Sequence, residues 1–515
     1  MLHGDLLGER ARLTPAKTAL VDVATGARYT YGELDARAVA AAGVLRETLG
    51  LAKGDRIGLL AGNRVEFLDL VFGAPKAGVV LVPLGTRLTA HELAPIVADS
   101  GLRGLVHGAE HAATVAELRR ATSIEHVVAF DTPTEDRAWG DLVGALRPDP
   151  GWRREPCDPE EPYALLYTSG TTGKPKGVVV PHRMVVWNGY NTVACWQLRE
   201  DDVSPIFTPL YHAGGLGAFL VPMVAIGGTV VLHRGFDPAE IWRTMEEERC
   251  TVVLGVPTIW KLLMEAPEFR TVDLSHVRWL ISGGAPLPEY LIEAYQARGV
   301  VFKQGYGLTE VGVNCFSMTV EESERKKGSI GKPLMFTQTR IVDAEGRDVP
   351  DGEVGELLLR GPHVSRGYWR NPEATAAALD ADGFFHTGDL ARRDAEGFHF
   401  VAGRKKDMLI TGGVNVYPAE IEAELLQHPG VQDAAVVGVP DPTWGEIGVA
   451  FVVPRPGAAL DGPLLAAHLE GRLARYKIPR DWVLVETLPR TPYGKVVKAE
   501  LQQRYAELRS RGGRP

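Results

Sequence analysis

Between Tyr29 and Gly108 the chain alternates short apolar runs with stretches of helical period: residues 31–48, RIGLLAG at 56–62, a helix at 64–77, VVLVPLG at 79–85, a helix at 90–98, then GLVHG. Strand and helix in strict succession fold as a parallel, doubly wound sheet, because each crossover helix returns the chain to begin the next strand in the same direction. A second series of this kind runs from about Pro181 to Tyr306, with TVVL at 229–232, TVVLG at 251–255, WLISGG at 279–284 and VFKQGYG at 301–307 as buried strands. Between about 330 and 402 the pattern changes to short alternating strands with turn signals, DAEG at 343–346 and PDGEVG at 350–355, which predicts a small antiparallel sheet or barrel. Charged GRKKD at 403–407 is expected to act as a linker to a small mixed domain. The predicted organisation is an N-terminal domain over 1–402 and a C-terminal domain over 403–515.

Charge narrows the partners. The formal net charge is −9, which argues against a nucleic-acid binder resting on a broadly basic surface. The balance is uneven: residues 471–515 hold eleven Lys and Arg against four acids. A basic segment on an acidic body suits an anionic small ligand, and a solvated basic tail after about residue 503 is an equal reading of its last arginines. Four cysteines, Cys157, Cys195, Cys250 and Cys315, lack the close spacing of zinc or redox motifs and point to a reducing cytoplasm. Charges interrupt the N-terminus before a signal peptide can form, and no run reaches the roughly 18 apolar residues of a membrane span.

The most informative segment is YALLYTSGTTGKPKGVVVPH, Tyr163 to His182, where two strand-like runs flank a loop of glycines, hydroxyls and lysines. Glycines let backbone approach a phosphate, hydroxyl and N–H groups donate to its oxygens, and lysines supply charge. A Walker loop needs four residues between its glycines and a Ser or Thr after its lysine. Here Gly170 and Gly173 enclose two, Lys174 precedes Pro175, and a second strand follows instead of a helix. The expectation is a flexible hairpin tip over a polyphosphate.

YTSGTTGKPKG resembles the signature of the adenylate-forming superfamily of acyl-CoA synthetases, peptide-synthetase adenylation domains and firefly luciferase. SGGAP at 282–286, GYGLTE at 305–310, TGD at 387–389, GRKKDMLITGGVNVYPAEIE at 403–422 and PRTPYGK at 489–495 follow in the family's order. The resemblance implies a large N-terminal domain of two doubly wound α/β subdomains plus a small β-barrel subdomain, and a small α+β C-terminal domain on a hinge. It implies a reaction in which a carboxylate attacks the α-phosphorus of ATP with Mg²⁺ present, and coenzyme A then takes the acyl group from the adenylate.

By the same resemblance, Thr168, Ser169, Gly170, Thr171, Thr172, Gly173, Lys174 and Lys176 handle the phosphates. Gly283, Gly284, Ala285, Gly305, Tyr306 and Gly307 line the nucleotide, with Tyr306 facing the base. Thr309 contacts the α-phosphate, Glu310 with Thr168 holds magnesium, and Asp389 binds the ribose hydroxyls. Arg404 contacts the nucleotide, Lys406 is the hinge, Gly412 and Gly413 line the CoA tunnel, and Lys495 is the catalytic lysine of the first step. Taken singly, Glu310 reads as a helix N-terminal acid, Asp389 as a turn residue, Tyr306 as a core tyrosine and Lys495 as a surface lysine; their motif contexts favour the functional roles.

PLYHAGGL at 209–216 carries His212 and no acid, unlike amino-acid adenylation domains. His212 is expected beside the acyl carboxylate, a core histidine being the alternative. The acyl pocket is expected to draw on Trp187, His212, Phe219, Val311 and Val313, with Gly283 and Gly307, and to accept a hydrophobic monocarboxylate, fatty or aromatic. The expected activity is that of an AMP-forming acyl-CoA synthetase acting on small molecules, without nucleic acid or a transmembrane segment, and compatible with a homodimer. Transfer to a separate carrier protein and an inactive nucleotide-binding regulator are the alternatives.

Overall fold

The computed structural model describes residues 4–131, 136–146, 154–169, 175–285, 287–412, 414–491 and 495–510. Its first sheet has seven strands in the spatial order Arg137–Ala138, His126–Ala129, Gly104–His107, Arg56–Leu60, Val80–Pro83, Pro162–Ser169, Pro175–Pro181. All neighbours are parallel except the last pair, an antiparallel hairpin in register from Thr168 opposite Lys176. The crossover helices begin where the sequence supplies caps. Thr30 with Glu33, and Thr89 with Glu92, form reciprocal capping boxes at the starts of Tyr31–Gly43 and Ala90–Ser100, each satisfying two orphan backbone donors. Gly101, at φ +63°, ends the second helix in the left-handed region that glycine adopts without strain.

The second series divides between two sheets. Val203–Ile206 and Thr229–Leu232 pair with Thr18–Asp22 and Arg28–Thr30 from the N-terminus, while Val252–Gly255, Trp279–Ser282 and Phe302–Gln304 form a parallel trio. The Thr251 amide donates to the Val203 carbonyl at 2.8 Å and ties the two groups together. The short-strand region is a four-stranded antiparallel meander of Gln338–Val342, Gly355–Arg360, Phe385–Arg393 and His399–Arg404.

The expected linker is shorter than GRKKD. Gly403 and Arg404 finish a strand, and only the turn after them leads into the last sheet. That sheet orders Val414–Val416, Leu409–Thr411, Gly445–Pro454 and Val431–Asp441, with Asp481–Leu484 parallel to Gly445–Pro454. The chain after residue 503 is helical as far as Ser510, and residues 511–515 lie outside the described residues. Residues Lys498–Ser510 form a helix that buries Leu501 and Tyr505 against the core of this sheet, so its basic residues sit on the outer face of a packed element.

Candidate active site

Two loops leave the carboxyl ends of neighbouring parallel strands, the place where open α/β sheets bind ligands. Trp279–Ser282 leads into Gly283, Gly284 and Ala285, and Phe302–Gln304 into Gly305, Tyr306 and Gly307. The Gly305 amide donates to the Ser282 carbonyl at 2.8 Å and the Gly283 amide to Gly255 at 3.1 Å, so the loops continue the sheet's pairing past its edge. Gly284 has φ +81° and, like Ala285, is exposed. Gly307 is fixed by packing: a Cβ there would collide with the Val313 backbone.

Tyr306 does more than present a ring. Its edge meets Phe316 at 5.6 Å between centroids, and its hydroxyl donates to Asp389 Oδ2 at 2.6 Å. Burial, then the Asp389 charge, hold its phenol well above the ordinary tyrosine range. Asp389, 4% exposed, pairs across the meander with Arg404, whose Nε lies 3.0 Å from Oδ1. A carboxylate offers about four acceptor positions, so these two donors leave capacity for two more.

Glu310 sits on the short 3₁₀ turn Thr309–Val311. Its carbonyl accepts from the Ser365 amide at 2.8 Å, and Tyr368 donates to its carboxylate at 3.1 Å. Burial raises its pKa, while Tyr368, Arg404 and Lys495 pull the other way. The Tyr368 segment lies alongside the hairpin: Val179 N–H donates to the Gly367 carbonyl at 2.9 Å and Trp369 N–H to Gly177 at 2.7 Å. The Lys176 ammonium stands 5.1 Å from the Tyr368 ring centre. His363 donates from Nδ1 to the Val311 carbonyl and accepts at Nε2 from Thr337 at 2.8 Å, which steadies the same turn. Sequence reading missed both Tyr368 and His363. The GYW triplet at 367–369, shortly before the meander's third strand, was the available signal, but only the fold places it against Glu310.

Lys495 enters this cluster from the C-terminal part of the chain. Its amide donates to Thr491 Oγ1 at 3.2 Å and its carbonyl accepts from the Thr491 amide at 2.7 Å, tying Lys495 to Thr491. The residue is exposed. Protein atoms nevertheless crowd the ammonium: desolvation, then Arg404, lower its pKa, and Asp389 and Glu310 oppose them. His212 feels the same charge. Burial, with Lys495 second, pushes it down to about 4, and its Nδ1 accepts from the Gly214 amide at 3.2 Å. A neutral imidazole accepting at Nδ1 carries its proton on Nε2.

The expected acyl-pocket residues do not all share one surface. Trp187 meets Phe336 edge-on at 5.0 Å, and Val313 packs on the main core. Phe219 is 2% exposed among Trp196 and Trp279. Val311 is fully buried in the core beneath the meander with Phe316 and Leu357, a different cluster from the one Val313 packs on. Thr168, one residue before the end of its hairpin strand, lies opposite Lys176. Lys406 is exposed in the turn after His399–Arg404, and Gly412, at φ +58°, donates its amide to the Trp444 carbonyl at 2.8 Å. Gly170, Thr171, Thr172, Gly173, Lys174, Gly413 and the Ser169 side chain lie outside the described residues.

The family model for AMP-binding enzymes matches residues 7–369, and that for the AMP-binding enzyme C-terminal domain matches 420–495. The chain belongs to the AMP-binding enzyme family. Its place within that family is the acyl-CoA synthetase branch, the AMP-forming acid–thiol ligases. It is 42% identical to a feruloyl-CoA synthase of Amycolatopsis over 96% of this chain and 97% of that one. A long-chain-fatty-acid–CoA ligase, FadD13 of Mycobacterium tuberculosis, is 37% identical over 98% of each. The crystal structure of ATP-bound MatB from Rhodopseudomonas palustris superposes with a TM-score of 0.90 at 32% identity, over 98% of this chain and 99% of that one.

Proposed function

We propose that this enzyme activates a hydrophobic carboxylic acid with ATP and passes the acyl group to coenzyme A. The observation that carries the reading is the convergence of Lys495 with Glu310, Asp389, Arg404 and His212, groups from both parts of the chain that act on one another electrostatically. In the first step an acid oxygen bonds to the α-phosphorus as the α–β bridging bond breaks and pyrophosphate leaves. Two anions meet there, and Lys495 provides the fixed positive charge that makes their approach favourable. His212 donates from Nε2 to the acid and orients it. Asp389 uses its remaining acceptor positions for the ribose diol, with Tyr306 and Arg404 fixing its orientation. In the second step the CoA thiol, losing its proton, bonds to the acyl carbon and AMP departs. We place the hinge at Lys406, between an N-terminal domain over 1–402 and a C-terminal one over 403–515, and the thiol's path along Gly412.

Magnesium fits this site in one way. Among the described residues no group of three or more His, Cys, Asp or Glu side chains is arranged to hold a metal ion, but Mg²⁺ bound with nucleotides needs only one or two protein oxygens beside phosphates and water. Glu310 is a half-buried carboxylate of that kind, and Thr168 lies near the hairpin end. The ion supplies charge neutralisation at the phosphates. Cys157, Cys195, Cys250 and Cys315 are all unpaired thiols, and no described helix is long and apolar enough to cross a membrane, which supports action in the cytoplasm. The test is acid-dependent release of pyrophosphate and AMP from ATP, with acyl-CoA appearing when CoA is added. ADP as the product would overturn the reading.

A further inference from the structure

The segment 362–370 runs as a strap between the hairpin and the turn that carries Glu310. It follows the hairpin strand Pro175–Pro181: Arg366 N–H donates to the Val179 carbonyl at 3.2 Å, Val179 N–H to Gly367 at 2.9 Å and Trp369 N–H to Gly177 at 2.7 Å, with Tyr368 opposite Val178 in an antiparallel bridge. Arg183, in the first turn of the helix His182–Trp196, donates to the Pro362 and Val364 carbonyls and fixes the strap's beginning. The same strap reaches Glu310 twice. The Ser365 amide donates to its carbonyl at 2.8 Å, and the Tyr368 hydroxyl donates to Oε1 at 3.1 Å. Tyr368 is itself anchored, its amide donating to Thr375 Oγ1 at 2.9 Å. Its side chain meets both neighbours: the ring carries the Lys176 ammonium 5.1 Å from its centre, and the hydroxyl makes its one hydrogen bond among the described residues to Glu310.

Resting on the nucleotide-site part of the reading above, we propose that Tyr368 is a positioning residue: it holds the Glu310 carboxylate in the orientation that takes Mg²⁺, and keeps that carboxylate in step with Lys176 on the hairpin. A glutamate on a short turn has several rotamers, and freezing one of them on metal binding costs side-chain entropy. The Tyr368 hydroxyl lowers that cost, because it fixes the carboxylate before the ion arrives. It takes one of about four acceptor positions and so turns the group without filling it. The ring does a second task. A cation held on an aromatic face is bound more weakly than one paired with a phosphate, so the ring keeps Lys176 close to Glu310 and yields it when the phosphates are present. Phenylalanine would fill the same space and carry the same lysine, and only the hydroxyl ties the strap to the carboxylate.

The experiment measures ATP binding by calorimetry, without any acid, over a series of free Mg²⁺ concentrations, for the unaltered enzyme, Tyr368→Phe and Tyr368→Leu. Tyr368→Phe should raise the half-saturating Mg²⁺ concentration about 10- to 100-fold, the usual effect of removing a partner that orients a metal-ligating group, and should leave the ATP affinity at saturating Mg²⁺ unchanged. Tyr368→Leu, which also removes the ring from beneath Lys176, should weaken ATP binding at saturating Mg²⁺ as well. In a Glu310→Gln background Tyr368→Phe should add little, since the two side chains act through one contact. An unchanged Mg²⁺ dependence in a Tyr368→Phe enzyme that melts like the unaltered one, or an equal added cost in the Glu310→Gln background, would overturn the proposal and leave the acyl-CoA synthetase reading intact. Tight ATP binding without pyrophosphate release from any carboxylic acid would overturn the synthetase reading alone. No ATP binding by the unaltered enzyme at any Mg²⁺ concentration would remove both.

Discussion

Replacing Asp389 with Asn tests the nucleotide site most sharply, because the structure fixes how the new amide must sit. Arg404 Nε only donates, so the amide oxygen stays toward it and the NH₂ group turns to Tyr306 and the ribose. Acceptance by the freed oxygen is lost, and with it a hydrogen bond to a charged group, worth about 1.5–3 kcal/mol. At 1.4 kcal/mol per tenfold, kcat/KM for ATP should fall about 10- to 150-fold for each hydroxyl affected. The assay is a cycle of enzyme and substrate: the unaltered enzyme and Asp389→Asn, each with ATP, 2′-deoxy-ATP and 3′-deoxy-ATP, read by pyrophosphate release. The deoxy analogues should cost the unaltered enzyme that factor and cost the variant little, giving a coupling well above the roughly 0.3–0.5 kcal/mol of independent sites. Full additivity in a variant that melts normally would refute the ribose role.

Stability should depend on pH through His212. Its folded pKa of about 4 lies below the unfolded value near 6.5, so the unfolded chain binds the proton first, and stability is full above about pH 6.5 and falls as pH drops toward 4. The contribution reaches about 3 kcal/mol by pH 4; urea unfolding of His212→Gln should show a shallower acid loss than the unaltered protein, and parallel curves would contradict the assignment. Gly307→Ala should lower stability by at least the roughly 1–3 kcal/mol of an overpacked site, because the added carbon meets the Val313 backbone, which cannot rotate away. A melting temperature within about a degree of the unaltered protein would show that the 305–313 loop yields more easily than its packing implies.

The alternating core and the hairpin were legible because both are local patterns: apolar runs such as Val80–Pro83 between capped helices, and two strands flanking a glycine-rich loop. What stayed hidden depends on pairing across the chain. Nothing near Thr18–Asp22 announces that it lies beside Thr229–Leu232, and the short strand His126–Ala129 has no alternation to mark it. Positions 311 and 313 are both valines, and only the turn beginning at Thr309 sends one under the meander and leaves the other toward the main core. The motifs marked Asp389 and Glu310 by family likeness, yet their hydrogen-bond partners Tyr306 and Tyr368 come from distant segments and became visible only in the fold. Charge density at the C-terminus left a ligand-facing basic segment and a solvated tail as equal readings, because it does not reveal that Leu501 and Tyr505 face inward.

The claim on which the account turns is that Lys495 serves the first half-reaction and not the second. Lys495→Ala, assayed separately for acid-dependent pyrophosphate release and for acyl-CoA formation from supplied acyl-adenylate, measures it directly. Loss of the first by orders of magnitude with the second retained is the predicted result. Equal loss in both, or none in either, would contradict it.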